Sequence, residues 1–181
     1  MRIIAGIYRG KKLLSPASEK VRPTSDRARE AIFNILYSKL PVSLSEINLL
    51  DIFAGSGAFA LEAVSRGVKK VGMIDLDTRD LLKNVALFPN EKDKIQVMKL
   101  NAANLPQASV RYDVLFMDAP YNKGLSEKAL RQLAEKGWLK DEAFCIVEVE
   151  RSEDLPLPEQ YEQIDERVYG LAKVFFLKYT A

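Results

Sequence analysis

The 181-residue chain contains no histidine and one cysteine, Cys145. Without histidine there is no Ser-His-Asp triad, no His-assisted cysteine nucleophile and no imidazole metal cluster. A lone cysteine forms neither an internal disulfide nor a multi-thiolate zinc site, so no metal is expected, and such cysteine poverty suits a reducing, cytoplasmic setting. Long apolar runs are missing too. No segment approaches the roughly 18 to 20 apolar residues of a membrane span, and the N-terminus MRIIAGIYRGKK has neither a continuous apolar core nor a small-residue cleavage site, so no membrane partner is expected. What remains is ordinary globular composition, 48% hydrophobic and 29% charged, enough for one compact unit over residues 1–181, expected to be a monomer.

The formal charge of +2 conceals segregation. Residues 1–30 hold eight Lys/Arg against three Asp/Glu, a net of +5, whereas residues 141–167 hold ten Asp/Glu against two arginines, a net of −8. A basic segment is either a solvated surface or a polyanion contact, and composition does not choose between them.

Short β-branched runs alternate with stretches of helical period. Residues 47–53, 70–75, 95–100, 112–118 and 143–149 read as strands, and 57–66, 77–88 and 124–136 as helices between them. This order implies a doubly wound α/β fold, a mostly parallel sheet with helices on both faces. The tail departs from it: residues 161–169 and 172–179, joined through Gly170, read as a C-terminal antiparallel hairpin, bringing the sheet to seven strands. Residues 26–40 read as a helix with Ala28, Ile32, Ile35 and Leu36 on one face and Thr24 or Ser25 as N-cap. Residues 1–40 thus form a basic N-terminal extension ahead of a core at 41–181.

At the first strand-to-helix junction, LLDIFAGSGAFALE, Gly55 and Gly57 permit a tight turn and close approach of a ligand to a helix N-terminus. Asp51 stands near the carboxyl end of the strand, facing the ligand crevice. A buried carboxylate needs a partner, and a cationic amine on a ligand is one; capping of its own turn is the alternative. Asp75, ending the second strand eighteen residues after Gly57, has the spacing of a carboxylate that binds ribose hydroxyls, or of a helix cap. Two acids and a glycine turn describe a nucleoside carrying a positive group. S-adenosyl-L-methionine, with its ammonium, sulfonium and ribose diol, fits better than a pyrophosphate cofactor.

The fourth strand ends in Asp118-Ala119-Pro120-Tyr121. Asp118 and the Ala119 carbonyl are placed to accept the two hydrogens of an exocyclic amine, freeing its lone pair for a methyl group. Pro120 restrains Ala119 to an extended conformation, and Tyr121 offers a face for a planar ring. A plain turn is the alternative, since these residues favour turns. Methyl transfer from a sulfonium requires positioning more than a base, so the missing histidine is no obstacle.

With these residues in view, the chain resembles the class I S-adenosylmethionine-dependent methyltransferases of the RsmD type, bacterial enzymes acting on the N2 of a guanine in small-subunit (16S) ribosomal RNA. The likeness rests on RIIAGIYRGKKL, RPTSDRAREAIFNIL (22–36), DIFAGSGAFALEAVSRG (51–67), IDLD, LNA (100–102), DAPY and GWL (137–139). It implies a Rossmann-like core and an RNA partner, either ribosomal RNA or its assembly particle. It further implies that Asp51, Phe53, Gly55 and Gly57 line the methionine end of the cofactor pocket, that Asp75 binds the ribose, and that Asn101 and Ala102 flank the adenine. Asp118, Ala119, Pro120 and Tyr121 would hold the guanine. The family pattern has Pro where this chain has Ala119, which implies a looser acceptor loop, and commonly Glu where it has Asp75. Arg9, Lys11, Lys12, Arg22, Arg27 and Arg29 become expected contacts for RNA phosphates, with pairing of Arg27 and Arg29 to Asp26 and Glu30 as the alternative. An amine methyltransferase acting on DNA adenine or protein glutamine, or a non-catalytic RNA-binding assembly factor, is the competing reading.

Overall fold

The computed structural model describes residues 1–15 and 25–181. Its elements follow the order α1 (Asp26–Lys39), β1 (Asn48–Ile52), α2 (Ala58–Ser65), β2 (Lys70–Asp75), α3 (Arg79–Val85), β3 (Ile95–Lys99), β4 (Tyr112–Asp118), α4 (Leu125–Glu135), β5 (Leu139–Glu150), β6 (Tyr161–Tyr169) and β7 (Ala172–Tyr179). They build one seven-stranded sheet in the order β3-β2-β1-β4-β5-β7-β6. The first five strands are parallel, and β7 runs antiparallel to both β5 and β6. The doubly wound sheet with its C-terminal hairpin is therefore as expected. Two details were not anticipated: a 3₁₀ turn at Pro89–Lys94, and a β5 that begins at Leu139 and passes through Glu142 at φ +65 before regular pairing with β4 resumes at Phe144.

Alternate strand residues feed two cores. Leu49, Met73, Phe116, Ile146 and Phe176 meet α1, α2 and α3 on one face. Leu50, Ile74, Met117, Val147 and Leu177 meet α4 and Trp138 on the other. Both faces are covered, so the central strands read as continuous apolar runs. On the first face Phe59 of α2 stacks between Phe33 of α1 and Phe116 of β4, at centroid separations of 4.7 and 3.7 Å, which locks α1 onto the sheet.

The N-terminal segment folds back on itself, with Ile3 N–H donating to the Lys11 carbonyl and Gly10 N–H to that of Ile3. It lies directly on α2: a Cβ at Gly6, φ +84, would fall 1.9 Å from the Ser65 carbonyl oxygen, so only glycine fits. Glu62, fully buried in α2, accepts the amides of Ile4 (2.7 Å) and Ala5 (3.0 Å). Ser65 donates to the Ala5 carbonyl and accepts from the Tyr8 amide. Asn84 of α3 takes the Leu14 amide at 2.8 Å and donates to the carbonyls of Leu14 and Ser56. Three buried polar side chains thus fasten the extension beside the glycine turn.

Candidate functional site

The strand register collects four acids on one face at the carboxyl edge of the sheet. Asp51 on β1 pairs in register with Met73 and Phe116, so Asp75 and Asp118, each two residues further along β2 and β4, project to the same side. Glu148 on β5 is the register partner of Asp118. The edge is lined by carboxylates, which attracts cationic groups and repels phosphates.

Asp51 is 2% exposed and accepts the Ala60 amide of α2 at 3.2 Å through Oδ2. It therefore does cap its own turn, with one oxygen. The other receives no hydrogen bond from the described residues, and loss of water pushes the carboxyl up to about 8, with the neighbouring Asp75 adding to the effect and the Ala60 bond opposing it. Asp118, half-buried, is likewise held well above the usual carboxylate range, first by desolvation, then by Glu148 and Asp51. Among the described residues no lysine or arginine pairs with either. Two close, cation-free carboxyls make a socket for a positive charge.

The two turn glycines have separate tasks. A Cβ on Gly57, φ +77, would meet Leu81 Cδ1 at 2.4 Å, so this glycine seats α2 against α3. At Gly55 the nearest atom to such a Cβ is the Phe53 carbonyl oxygen at 3.9 Å, which leaves the backbone open to a ligand. Phe53 itself adopts φ +59, a strained value for a bulky side chain, and its half-buried ring packs against the second core. Asp75 accepts the Gly55 amide at 2.8 Å and the Asp77 amide at 3.0 Å, so it braces the glycine turn rather than capping α3. Spare lone pairs on both oxygens remain for hydroxyl donors. Asn101 turns its Oδ1 to the Ala103 amide at 2.9 Å, and Ala102 is buried in the second core. Leu76, overlooked in the sequence, is 62% exposed immediately after Asp75.

After Asp118 the chain buries Ala119 and exposes Pro120. Tyr121 donates its hydroxyl to Glu148 Oε1 at 3.2 Å. Glu148, buried near the end of an apolar strand, is the second residue overlooked; a carboxylate inside the run AFCIVEV is the signal that marks it.

One expected RNA contact is corrected. Arg29 is 1% exposed; its Nη2 donates to the Arg2 carbonyl at 2.6 Å and to Asp26 Oδ1 at 3.0 Å, and its Nε lies 3.8 Å from Glu62. It is part of the fold and does not face a phosphate. Lys11 is half-buried, donating to the Leu87 carbonyl at 2.9 Å over the Phe88 ring. Arg9, Lys12 and Arg27 are exposed, and Arg22 lies outside the described residues. The cavity of about 290 Å³ lined by Asn48, Lys70 and Tyr112 opens at the amino ends of the strands, the edge opposite the four acids.

Strand order, flanking helices and an acid-lined carboxyl edge are those of a Rossmann-like methyltransferase. Over residues 1–178 the chain matches the family described as Conserved hypothetical protein 95, and it belongs to that family, the RsmD methyltransferases. The ribosomal RNA small subunit methyltransferase D of Haemophilus influenzae is 37% identical over 177 residues, 94% of this chain and 90% of the relative. The protein of the same name from Escherichia coli K12 is 39% identical over 175 residues, 94% of this chain and 85% of the relative. A solved structure of a candidate methyltransferase from Escherichia coli, yhhF, matches at a TM-score of 0.85 and 35% identity, covering 100% of this chain and 98% of its own.

Proposed function

We propose that the protein uses S-adenosyl-L-methionine to methylate the exocyclic N2 of a guanine in small-subunit ribosomal RNA, free or in an assembling particle. The observation that carries the reading is the pair Asp51 and Asp118 on adjacent parallel strands, both desolvated and without a cation among the described residues, flanking the open backbone at Gly55. The names of the relatives, ribosomal RNA small subunit methyltransferase D, support the RNA class of substrate.

The residues fit the cofactor chemically. Asp51 would hold its ammonium group, Asp75 its ribose hydroxyls, and Asn101, Ala102 and the exposed Leu76 would flank its adenine, with Phe53 closing the methionine end. When bound, the cofactor supplies an electrophilic methyl group on a sulfonium sulfur. The chain's own work is on the acceptor. Asp118 and the Ala119 carbonyl accept the two amine hydrogens and turn the nitrogen lone pair out of the ring system, toward the methyl group. Pro120 keeps Ala119 extended, and Tyr121 carries the base on its ring. Once the nitrogen has gained its methyl group it holds one proton in excess; Asp118, more basic than an ordinary carboxylate, takes it at a carboxylate oxygen and passes it to water. A guanine reaches this edge only after leaving its stack.

Two measurements test the reading. Calorimetric titration with S-adenosylmethionine should show one site per chain; no binding would return the protein to the non-catalytic alternative. Mass mapping of ribosomal RNA from cells with and without the gene should show one N2-methylguanine that disappears with it. Methylation of adenine or of a protein glutamine instead would overturn the guanine assignment.

A further inference from the structure

The turn that follows Asp118 is tied at two points to one stretch of chain. The Tyr121 hydroxyl donates to Glu148 Oε1 at 3.2 Å, and the Asn122 amide donates to Glu153 Oε2 at 2.9 Å. Between the ties Asn122 takes φ +57, a left-handed conformation that asparagine tolerates better than most residues. The two acids differ in setting. Glu153 is at the rim, whereas Glu148 is 2% exposed and sits beside Asp118 in the strand register. Burial and the adjacent carboxylates push the Tyr121 phenol far up, so it stays a donor throughout the working pH range.

Pro120 fixes its own φ and limits Ala119, but neither restraint reaches the Tyr121 ring, whose plane depends on two side-chain torsions. A ring that serves as a stacking platform must hold one plane. Anchoring the hydroxyl at the far end of the ring to a buried carboxylate supplies the second fixed point. A DAPY turn, with Ala119 ahead of Pro120, has the greater need of it. We propose that Glu148 is a positioning residue for methyl transfer: by accepting the Tyr121 hydroxyl it fixes the ring plane, and with it the seat of the acceptor amine against Asp118. This rests on the methyl-transfer reading above.

The test combines a structural and a kinetic readout. Hydrogen exchange of the peptide spanning residues 119–124, followed by mass spectrometry on the cofactor-free protein, should speed up several-fold in Tyr121→Phe and in Glu148→Ala. In the double variant it should be no faster than in Glu148→Ala alone. Ala119→Pro, which adds a second fixed φ to the turn, should slow exchange again in the Tyr121→Phe background. In steady-state transfer Tyr121→Phe keeps the stacking ring, so kcat should fall roughly five- to twentyfold while KM for RNA changes by less than about twofold. Glu148→Gln retains an accepting oxygen, so exchange of the 119–124 peptide should stay close to wild type. Tyr121→Phe removes one half-buried hydroxyl and leaves the packing, so it decides the matter even where Glu148→Ala does not fold. Unchanged exchange in Tyr121→Phe, or losses from the two substitutions that add in full, would overturn the latch whether or not the protein transfers methyl groups. A wild-type protein that binds no S-adenosylmethionine would overturn the methyl-transfer reading and the kinetic role with it, leaving exchange to judge the tie by itself.

Discussion

Asp51 has two tasks that oppose each other. As a cap on α2 it belongs to the fold, and as a buried carboxyl with no cation among the described residues it works against the fold. Unfolded, it ionises near the ordinary aspartate value, about 3.9. Folded and free of ligand it keeps its proton up to about 8. Between those values the unfolded state has released a proton that the native state retains, so stability falls as pH rises and levels off above about 8. Asp51→Asn removes that liability. Its unfolding free energy should exceed that of the wild type by a margin that grows from pH 4 to pH 8, reaching roughly 2 kcal/mol or more, as read by urea unfolding at each pH. A margin independent of pH would mean that Asp51 is already ionised in the free protein. The same substitution should weaken S-adenosylmethionine binding at least about tenfold, near 1.4 kcal/mol, and the wild type should release a proton on binding at pH 7, visible as a dependence of calorimetric enthalpy on the buffer. Asp118, by contrast, is proposed to face the acceptor. Asp118→Ala should abolish methyl transfer and leave cofactor affinity within about tenfold; equal loss of both would make it a cofactor ligand.

At the scale of elements, α2 was legible as a helix and opaque as a clamp. Its span and the strands around it follow from apolar periodicity, which reports burial. Periodicity does not report what a buried polar residue grips, so Glu62 and Ser65 read as ordinary positions in AFALEAVS although they hold the N-terminal segment. Arg29 is a related case with a usable clue. It lies three and four residues before Ile32 and Phe33 and seven before Leu36, on the helix stripe that is buried, whereas Arg27 lies off it and is exposed. The acid-lined edge was the most legible part, because the apolar strands that carry Asp51, Asp75 and Asp118 are plain in the sequence and their register brings the three together; Glu148 escaped because nothing local in the sequence pairs it with Tyr121. The clamp gives its own prediction. Glu62→Ala leaves Arg29 and Arg66 buried without their shared carboxylate and frees the amides of Ile4 and Ala5, and should cost about 3 to 5 kcal/mol in urea unfolding. Ser65→Ala, which removes hydrogen bonds but no charge, should cost about 1 to 2 kcal/mol. A Glu62→Ala loss no larger than that of Ser65→Ala would show that the charge network adds nothing.

Across the whole molecule the small net charge of +2 is a balance between ends with different work. The acids at the sheet edge form a socket for a cation and are a poor place for an RNA backbone. Phosphates must therefore be met elsewhere while a base enters the socket. We propose that the clamped extension is that place: it carries Arg9 and Lys12 on the surface, α1 adds Arg27, and Asn84 ties the extension to the carbonyl of Ser56 in the glycine turn. Cations on a segment fastened to the site set a fixed register between phosphate and base, which loose cations would not. Reversing Arg9, Lys12 and Arg27 to glutamate should leave urea stability within about 0.5 kcal/mol, since exposed charges contribute little. RNA affinity should fall, and the slope of log affinity against log salt should flatten by roughly 0.7 to 0.9 for each phosphate that the protein ceases to neutralise. Arg29→Ala should do the opposite, lowering stability by breaking its buried network while leaving the salt slope of the folded protein unchanged. If the triple reversal leaves the slope intact, the phosphates are held by some other surface and the extension serves only to brace the glycine turn.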